Sequence, residues 1–259
     1  MKPLKIVFEM MTPICLSYPF IFFDGLLAHL VYRRELGEDF YALPSKRVIK
    51  VQGERLIPLK KTAGIYHASV SFFDFKDGFG YRIYKKFCER YFEYEKSRIK
   101  KIDRRRGAFR DHIIHLIYVP ARKVTFYANG DREKIEDLLS SLSALGKKTS
   151  IGFGFFKKYV IEEIDEDRSI VYQGRAMRTI PFPLFSYATD IATMAYKPPY
   201  WAIENHIPCA IPGSFCKLNE NFRKDFKLGM VLEKWRKSGG DIFWNGQTQK
   251  NSEEKREMP

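Results

Sequence analysis

Residues 131–156 constrain the fold more than any other stretch of this chain. Asp131 and Glu133 open an amphipathic helical pattern in which Ile135, Leu138, Leu139, Leu142 and Leu145 form one apolar stripe, and Gly146 ends it. Directly after it comes Lys147-Lys148-Thr149-Ser150-Ile151-Gly152-Phe153-Gly154-Phe155-Phe156, which runs into a strand expected over 155–164. A helix-to-strand loop of this composition suits a polyanion. Glycines let backbone N–H groups approach phosphates, lysines supply charge, and phenylalanines either anchor the loop in the core or stack on bases. The chain has 45 Lys and Arg against 31 Asp and Glu, a net charge of +14, so nucleic acid, and RNA first, is the partner to consider ahead of an anionic membrane surface.

Three look-alike motifs fail on spacing or context. A nucleotide-triphosphate loop needs a lysine directly after its second glycine, whereas Phe153 follows Gly152. A dinucleotide fingerprint needs a third glycine and a helix after it, whereas Gly152-Phe153-Gly154 precedes a strand. Ile151 to Phe156 matches part of the RNA-recognition consensus K/R-G-F/Y-G/A-F-V, but lacks the leading basic residue and follows the second helix. A tight turn with buried phenylalanines is the competing structural reading of the same glycines.

The rest of the chain supplies an order of elements. A strand is expected over 4–10 and a helix over 22–36, ended by Gly37. Residues 38–61 read as a loop-rich connection with Pro44, Gly53 and Pro58, and strands are expected at 68–75 and 79–87. Residues 96–110 carry eight lysines and arginines against the single acid Asp103. Strands at 112–119 and 124–128 follow, separated by the hairpin-like Pro120-Ala121-Arg122. After the helix and loop, the strand at 155–164 is expected to pair with 169–177 through the acidic turn at 165–168. The last third, rich in proline and aromatics, reads as irregular structure packed on a sheet, with Tyr196 to Trp201 offered either to the core or to a neighbour. Residues 246–259 read as a disordered tail. The resulting class is α+β, with a ferredoxin-like (RRM-like) β-α-β-β-α-β unit over 1–178, an insertion at about 76–122, and a C-terminal extension over 179–245.

With 45% apolar and 29% charged residues the chain can bury a sizeable core, and no stretch reaches the roughly 18–20 apolar residues of a membrane span. Glu9 comes too early for a secretory leader, so a cytoplasmic protein with no membrane role is expected. Cys15, Cys88, Cys209 and Cys216 form no C-x-x-C pair, and reduced, mostly buried thiols with no metal and no cofactor are expected.

The helix followed by Leu145 to Gly154 resembles the signature glycine-rich loop of the CRISPR-associated RAMP superfamily. Phe8-Glu9-Met10-Met11-Thr12-Pro13, then Phe22-Phe23-Asp24-Gly25-Leu26-Leu27-Ala28, resembles the start of the Cas-five-like subunit of type IV CRISPR systems, and Ile102 to Arg110 its basic central segment. The resemblance covers most of residues 1 to about 215. It implies a subunit that binds CRISPR RNA (crRNA), holds its 5′ repeat-derived handle and caps a filament of backbone (Cas-seven-like) subunits beside a large subunit. Target DNA would be met indirectly within that complex, and a separate DinG-type helicase is implied. On this reading Lys147, Lys148, Thr149 and Ser150 contact phosphate, Gly152 and Gly154 permit the approach, and Arg104, Arg105, Arg106 and Arg110 serve an inserted basic thumb.

Some RAMP relatives cut RNA without metal, and histidine suits proton transfer near neutrality. His29, on the first helix, is the candidate for that minority role, while His112 and His115 point to opposite faces of one strand. The expectation is a non-catalytic RNA-binding subunit. A crRNA-processing endoribonuclease and an unrelated basic RNA-binding protein are the alternatives.

Overall fold

In a computed structural model the described residues are 1–42, 56–75, 77–88 and 102–237. Lys96, Arg98, Lys100 and Lys101 of the basic run and the tail at 246–259 lie outside them. In chain order the elements are β1 (Lys2–Met10), β2 (Ile14–Leu16), α1 (Phe23–Leu36), α2 (Asp39–Ala42), β3 (Lys61–Thr62), β4 (Ile65–Tyr66), β5 (Phe72–Phe73) and β6 (Phe79–Lys85). They continue as β7 (His112–Val119), β8 (Lys123–Gly130), α3 (Arg132–Leu139), β9 (Phe156–Glu163), β10 (Val171–Tyr172) and β11 (Arg175–Ala176). The last are β12 (Ile180–Pro181), β13 (Phe185–Ala188), β14 (Ile191–Ala195), β15 (His206–Ala210), β16 (Cys216–Leu218) and α4 (Leu228–Lys237). The architecture is mixed α and β, with antiparallel sheets and few helices.

The main sheet has the order β5-β8-β1-β9, with β1 central and antiparallel to both neighbours. The alternation of β1 sends Leu4, Ile6 and Phe8 inward, where Val124, Phe126 and Ala128 of β8 and Ile161 of β9 join them. Helices α1 and α3 cover this face with Phe23, Leu27, Leu30, Val31, Ile135, Leu138 and Leu139. Gly37 closes α1 at φ 55°, donating its N–H to the Arg33 carbonyl at 3.1 Å. Asp131 caps α3 by accepting from the Lys134 N–H.

Helix α3 is shorter than its apolar stripe predicts, ending at Leu139 instead of running to Leu145. The cause is local: the Ser140 and Ser141 hydroxyls donate back to the carbonyls of Asp137 and Leu138 at 2.6 and 2.9 Å, competing with helix continuation. Leu145 is still fully buried, carried inward by irregular chain.

Two expected pairings are corrected. β9 pairs with β1, not with 169–177, which instead forms its own small hairpin of β10 and β11 about Gln173 and Gly174. Both turn residues have positive φ, 50° and 72°, the geometry of a tight two-residue hairpin turn. β7 and β8, despite the punctuation at 120–122, enter different sheets; β7 lies between β2 and β6 in a three-stranded ribbon. Residues 179–237 are also more ordered than expected, with five short strands and α4. They enclose a second core around Ile180, Phe182, Leu184, Phe185, Ile207 and Leu232, which draws in Ala63, Ile65, Ile170 and Ala176 from earlier in the chain.

A buried ion pair links α1 to this second region. The Arg178 Nη2 lies 3.2 Å from Asp24 Oδ2, with both side chains shielded from solvent. Arg178 also donates to the carbonyls of Tyr66, Ala68, Thr179 and Tyr196, and the Tyr200 hydroxyl donates to Asp24 Oδ1 at 2.6 Å. Tyr200 stacks on Phe22 with centroids 3.7 Å apart. The Phe22-Phe23-Asp24-Gly25 stretch is therefore a structural joint. The Arg178 pKa is raised: burial is the largest single influence and pulls it down, but Asp24, Tyr200 and Cys209 together outweigh it.

A second polar cluster surrounds His67, whose Nδ1 meets Asp167 Oδ2 at 2.7 Å and whose Nε2 meets Thr62 Oγ1 at 2.8 Å. Asn129 Nδ2 and the Ser169 hydroxyl also donate to the Asp167 carboxylate. Burial raises the Asp167 pKa, but hydrogen bonds from His67, Ser169 and Asn129 prevail and hold it well below the usual carboxylate range. A depressed folded-state pKa contributes stability that is present above the unfolded value, near 4, and is lost as pH falls through the folded one. Denaturant midpoints measured from pH 6 down to pH 2 should fall more steeply for the native chain than for Asp167→Asn. Parallel curves would refute this contribution.

Three of the four cysteines are buried and Cys88 is exposed. Burial pushes the Cys209 and Cys216 thiols up to about 12, which makes them packing residues, not nucleophiles. No helix among the described residues is long and apolar enough to cross a membrane.

Candidate nucleic-acid interface

The glycine-lysine loop is pinned at both ends by backbone. Gly146, at φ 82°, sits so close to β2 that a Cβ would approach the Cys15 carbonyl oxygen to 2.6 Å. Lys147 then donates its N–H to that same carbonyl at 2.8 Å, adding itself to the β2 edge. At the far end Gly154, φ 79°, donates to the Pro13 carbonyl and accepts from the Leu145 N–H, both at 2.8 Å. Phe155 donates to Thr12 Oγ1 at 2.8 Å. The Thr12-Pro13 break after β1 is thus the anvil on which the loop closes.

Between these pins the chain makes a short 3-10 turn, Thr149–Ile151, entered by Lys148 in the left-handed region at φ 62° and left by Gly152 at φ 100°. Lys147 and Ser150 are exposed, Lys148 and Thr149 half-buried, and Gly152 is exposed with open space around its α-carbon. Two lysines on a raised, rigid turn form a compact cationic knob. Their charge is felt beneath it by Cys15, whose thiol is raised by burial and partly lowered by Lys148 and Lys147.

The two glycines differ in what they do. Gly152 faces open space, while Gly154 is buried with its N–H already used, so packing and not phosphate approach demands glycine there. A Cβ at 154 would collide with the Leu145 carbonyl oxygen, at a φ that side chains rarely adopt. Gly154→Ala should therefore cost about 2 kcal/mol or more, from backbone strain plus collision. A thermal midpoint within a degree of the native chain would refute this.

The phenylalanines also separate. Phe153 is half-buried, its ring 6.0 Å from Tyr81 and 6.1 Å from Tyr118, so it leans onto the β2-β7-β6 ribbon. Phe155, just before β9, is 37% exposed.

The arginines expected to act in a thumb sit at the other end of that ribbon. β6 and β7 pair from Phe79 opposite Tyr118 to Lys85 opposite His112, and residues 102–111 lie beyond the last pair. Tyr118 and His112 are six residue steps apart along β7, about 20 Å of strand. Arg105, Arg106 and Arg110 are exposed there. Arg104 is engaged within the chain: its Nε and Nη2 reach Asp111 Oδ2 at 3.0 and 2.5 Å. Hydrogen bonds from Arg104 and from the Phe87 N–H hold the Asp111 carboxyl below its ordinary pKa. Arg104 thus shapes the segment, and the other three project from it.

His29 is apart from both cationic groups, on α1, with its ring edge-on to Phe40 at 5.0 Å. Desolvation and then the Arg33 charge lower its pKa. His112 and His115 are exposed on β7, His112 accepting or donating at the Arg110 carbonyl, 3.1 Å away. Among the described residues no group of three or more His, Cys, Asp or Glu could hold a metal ion. Tyr196 is buried, whereas Trp201 is exposed. The exposed aromatics of β6, Phe79, Tyr81 and Tyr84, were not singled out by sequence reasoning; for the first two the signal is the absence of polar alternation in Phe79-Gly80-Tyr81.

No curated protein matches the chain. Among solved structures, a chain of the Csm3-Csm4 subcomplex of the type III-A CRISPR-Cas interference complex is similar over 86% of this chain and 94% of that one, at 13% identity and a TM-score of 0.39. The family model of CRISPR type IV associated protein Csf3 matches residues 71–212, from β5 through the ribbon, α3 and the glycine-lysine loop to β15. That match spans more than half of the 259 residues, and the chain belongs to the Csf3 family of CRISPR type IV associated proteins.

Proposed function

We propose that this chain is a non-catalytic RNA-binding subunit of a type IV CRISPR effector complex, gripping the 5′ repeat-derived handle of the crRNA. The observation that carries the reading is the rigid cationic knob of Lys147 and Lys148, raised on backbone bonds to Cys15 and Pro13 in a chain of net charge +14. Phosphate contacts from Lys147, Lys148, Thr149 and Ser150 position the strand, and Arg105, Arg106 and Arg110 give a second cationic group along the ribbon. We read β1, α1, β5, β8, α3 and β9 as a ferredoxin-like unit, a reading supported by the sheet order β5-β8-β1-β9, and the β6–β7 ribbon as its thumb. In the assembly the subunit caps the backbone filament and abuts the large subunit, in the cytoplasm.

Co-expression with a backbone subunit and a repeat-spacer transcript should bring both down with this chain. Recovery of the chain alone, with the other two assembled without it, would overturn the proposal. Purified chain incubated with labelled repeat RNA in EDTA should leave the RNA intact. Specific cuts abolished by His29→Ala would replace holding by cutting.

A further inference from the structure

The ribbon face that meets the glycine-lysine loop carries a file of aromatic rings. Tyr118 pairs with Cys15 on one side and Phe79 on the other, and the parity of the strands puts Phe79, Tyr81, Ile83 and Lys85 on the same face as Tyr118. Ring contacts agree: Phe79 stacks with Tyr118 at 5.7 Å and with Phe75 at 6.1 Å, while Phe153 bridges Tyr118 and Tyr81. Phe79 is 45% and Tyr81 47% exposed. A monomer gains nothing from two large rings held half in water at the start of the ribbon's edge strand.

Charge decides between occupants. The two paired strands place no acid on this face, since β6 contributes Phe79, Tyr81, Ile83 and Lys85, and β7 contributes His112, Ile114, Leu116 and Tyr118. Lys147 and Lys148 stand at one end, and Lys85 with Arg105, Arg106 and Arg110 at the other. An aromatic floor bracketed by cations fits a polyanion with exposed apolar faces, which describes a single strand with unpaired bases; a duplex hides those faces.

The geometry points to a base-stacking platform for single-stranded RNA formed by Phe79, Tyr81 and Tyr118, taking the bases of the strand whose phosphates the Lys147 and Lys148 loop holds. The inference rests on the RNA-holding reading of that loop and extends it from phosphate grip to base contact. Stacking is tolerant of sequence, so the platform binds unpaired nucleotides of any identity.

The test uses the full chain, a fluorescein-labelled single-stranded repeat RNA, and the same oligomer with abasic sites, titrated over a range of salt. Phe79→Ala with Tyr81→Ala should weaken binding by about tenfold for each stacked base lost, leave the salt slope unchanged, and abolish the preference for intact over abasic RNA. Phe79→Trp with Tyr81→Trp should retain affinity and show indole fluorescence quenched by RNA, which keeps the test open should the alanine variant fold poorly. If the alanine variant binds RNA as the native chain does, the platform is overturned, and loss of a copurifying subunit in its place would make the face a protein interface. If Lys147→Ala with Lys148→Ala keeps full affinity while the aromatic variant loses it, the loop reading falls and the platform stands. A native chain indifferent to RNA sinks both.

Discussion

Arg178→Leu is expected to lower the unfolding free energy by about 3–5 kcal/mol, the cost of leaving one partner of a buried ion pair unpaired. The site leaves the stranded group no escape. Asp24 lies fully inside the protein, donated to by the Tyr200 hydroxyl and the Gly25 N–H, and the carbonyls of Tyr66 and Tyr196 each lose one hydrogen bond when the guanidinium goes. Since whole domains are stable by about 5–15 kcal/mol, the variant should show a large drop in denaturant midpoint or a collapse in soluble yield. Asp24→Leu should be damaging for the mirror-image reason, and the pair Asp24→Leu with Arg178→Leu should cost less than the two single changes added together. A midpoint for Arg178→Leu equivalent to less than about 1 kcal/mol would refute the joint.

Lys147→Ala with Lys148→Ala should weaken single-stranded RNA binding by roughly thirtyfold, taking about 1 kcal/mol for each charge-assisted phosphate contact. Counterion release adds a sharper signature. Losing two phosphate contacts to a single strand should reduce the slope of log affinity against log salt by about 1.4. Stability should hardly change, because Lys147 is exposed and the hydrogen bond that fixes the loop comes from its backbone N–H. Binding lost with an unchanged slope would mean that the knob acts through shape and not through charge.

The sequence was legible where local pattern and tertiary role coincide. β1, α1 with its Gly37 end and β9 lie where alternation, helical spacing and capping put them, because each buries one face on a single partner layer, and β7 lies where its β-branched run puts it. Pairing was less legible. The acidic turn at 165–168 looks like a hairpin connection, yet Asp167 is drawn into the His67 cluster and β9 finds β1 more than 140 residues away in sequence. Proline-rich segments after 179 concealed short strands, since strands of two to five residues carry too little alternation to register. The loop was legible as a cationic turn, and the separation of Gly152 from Gly154 was not, because it depends on where the Leu145 carbonyl lies. Arg178 gave no signal at all: an arginine between Met177 and Thr179 reads as surface until Asp24 is found facing it.

The most direct measurement is photocrosslinking of the purified chain to repeat RNA carrying 4-thiouridine, with the adducts located by mass spectrometry. Adducts are expected in residues 145–156 from handle nucleotides, with further adducts on β6 and β7. Adducts confined to the second core region, with none in the glycine-lysine loop or the ribbon, would contradict the proposed function.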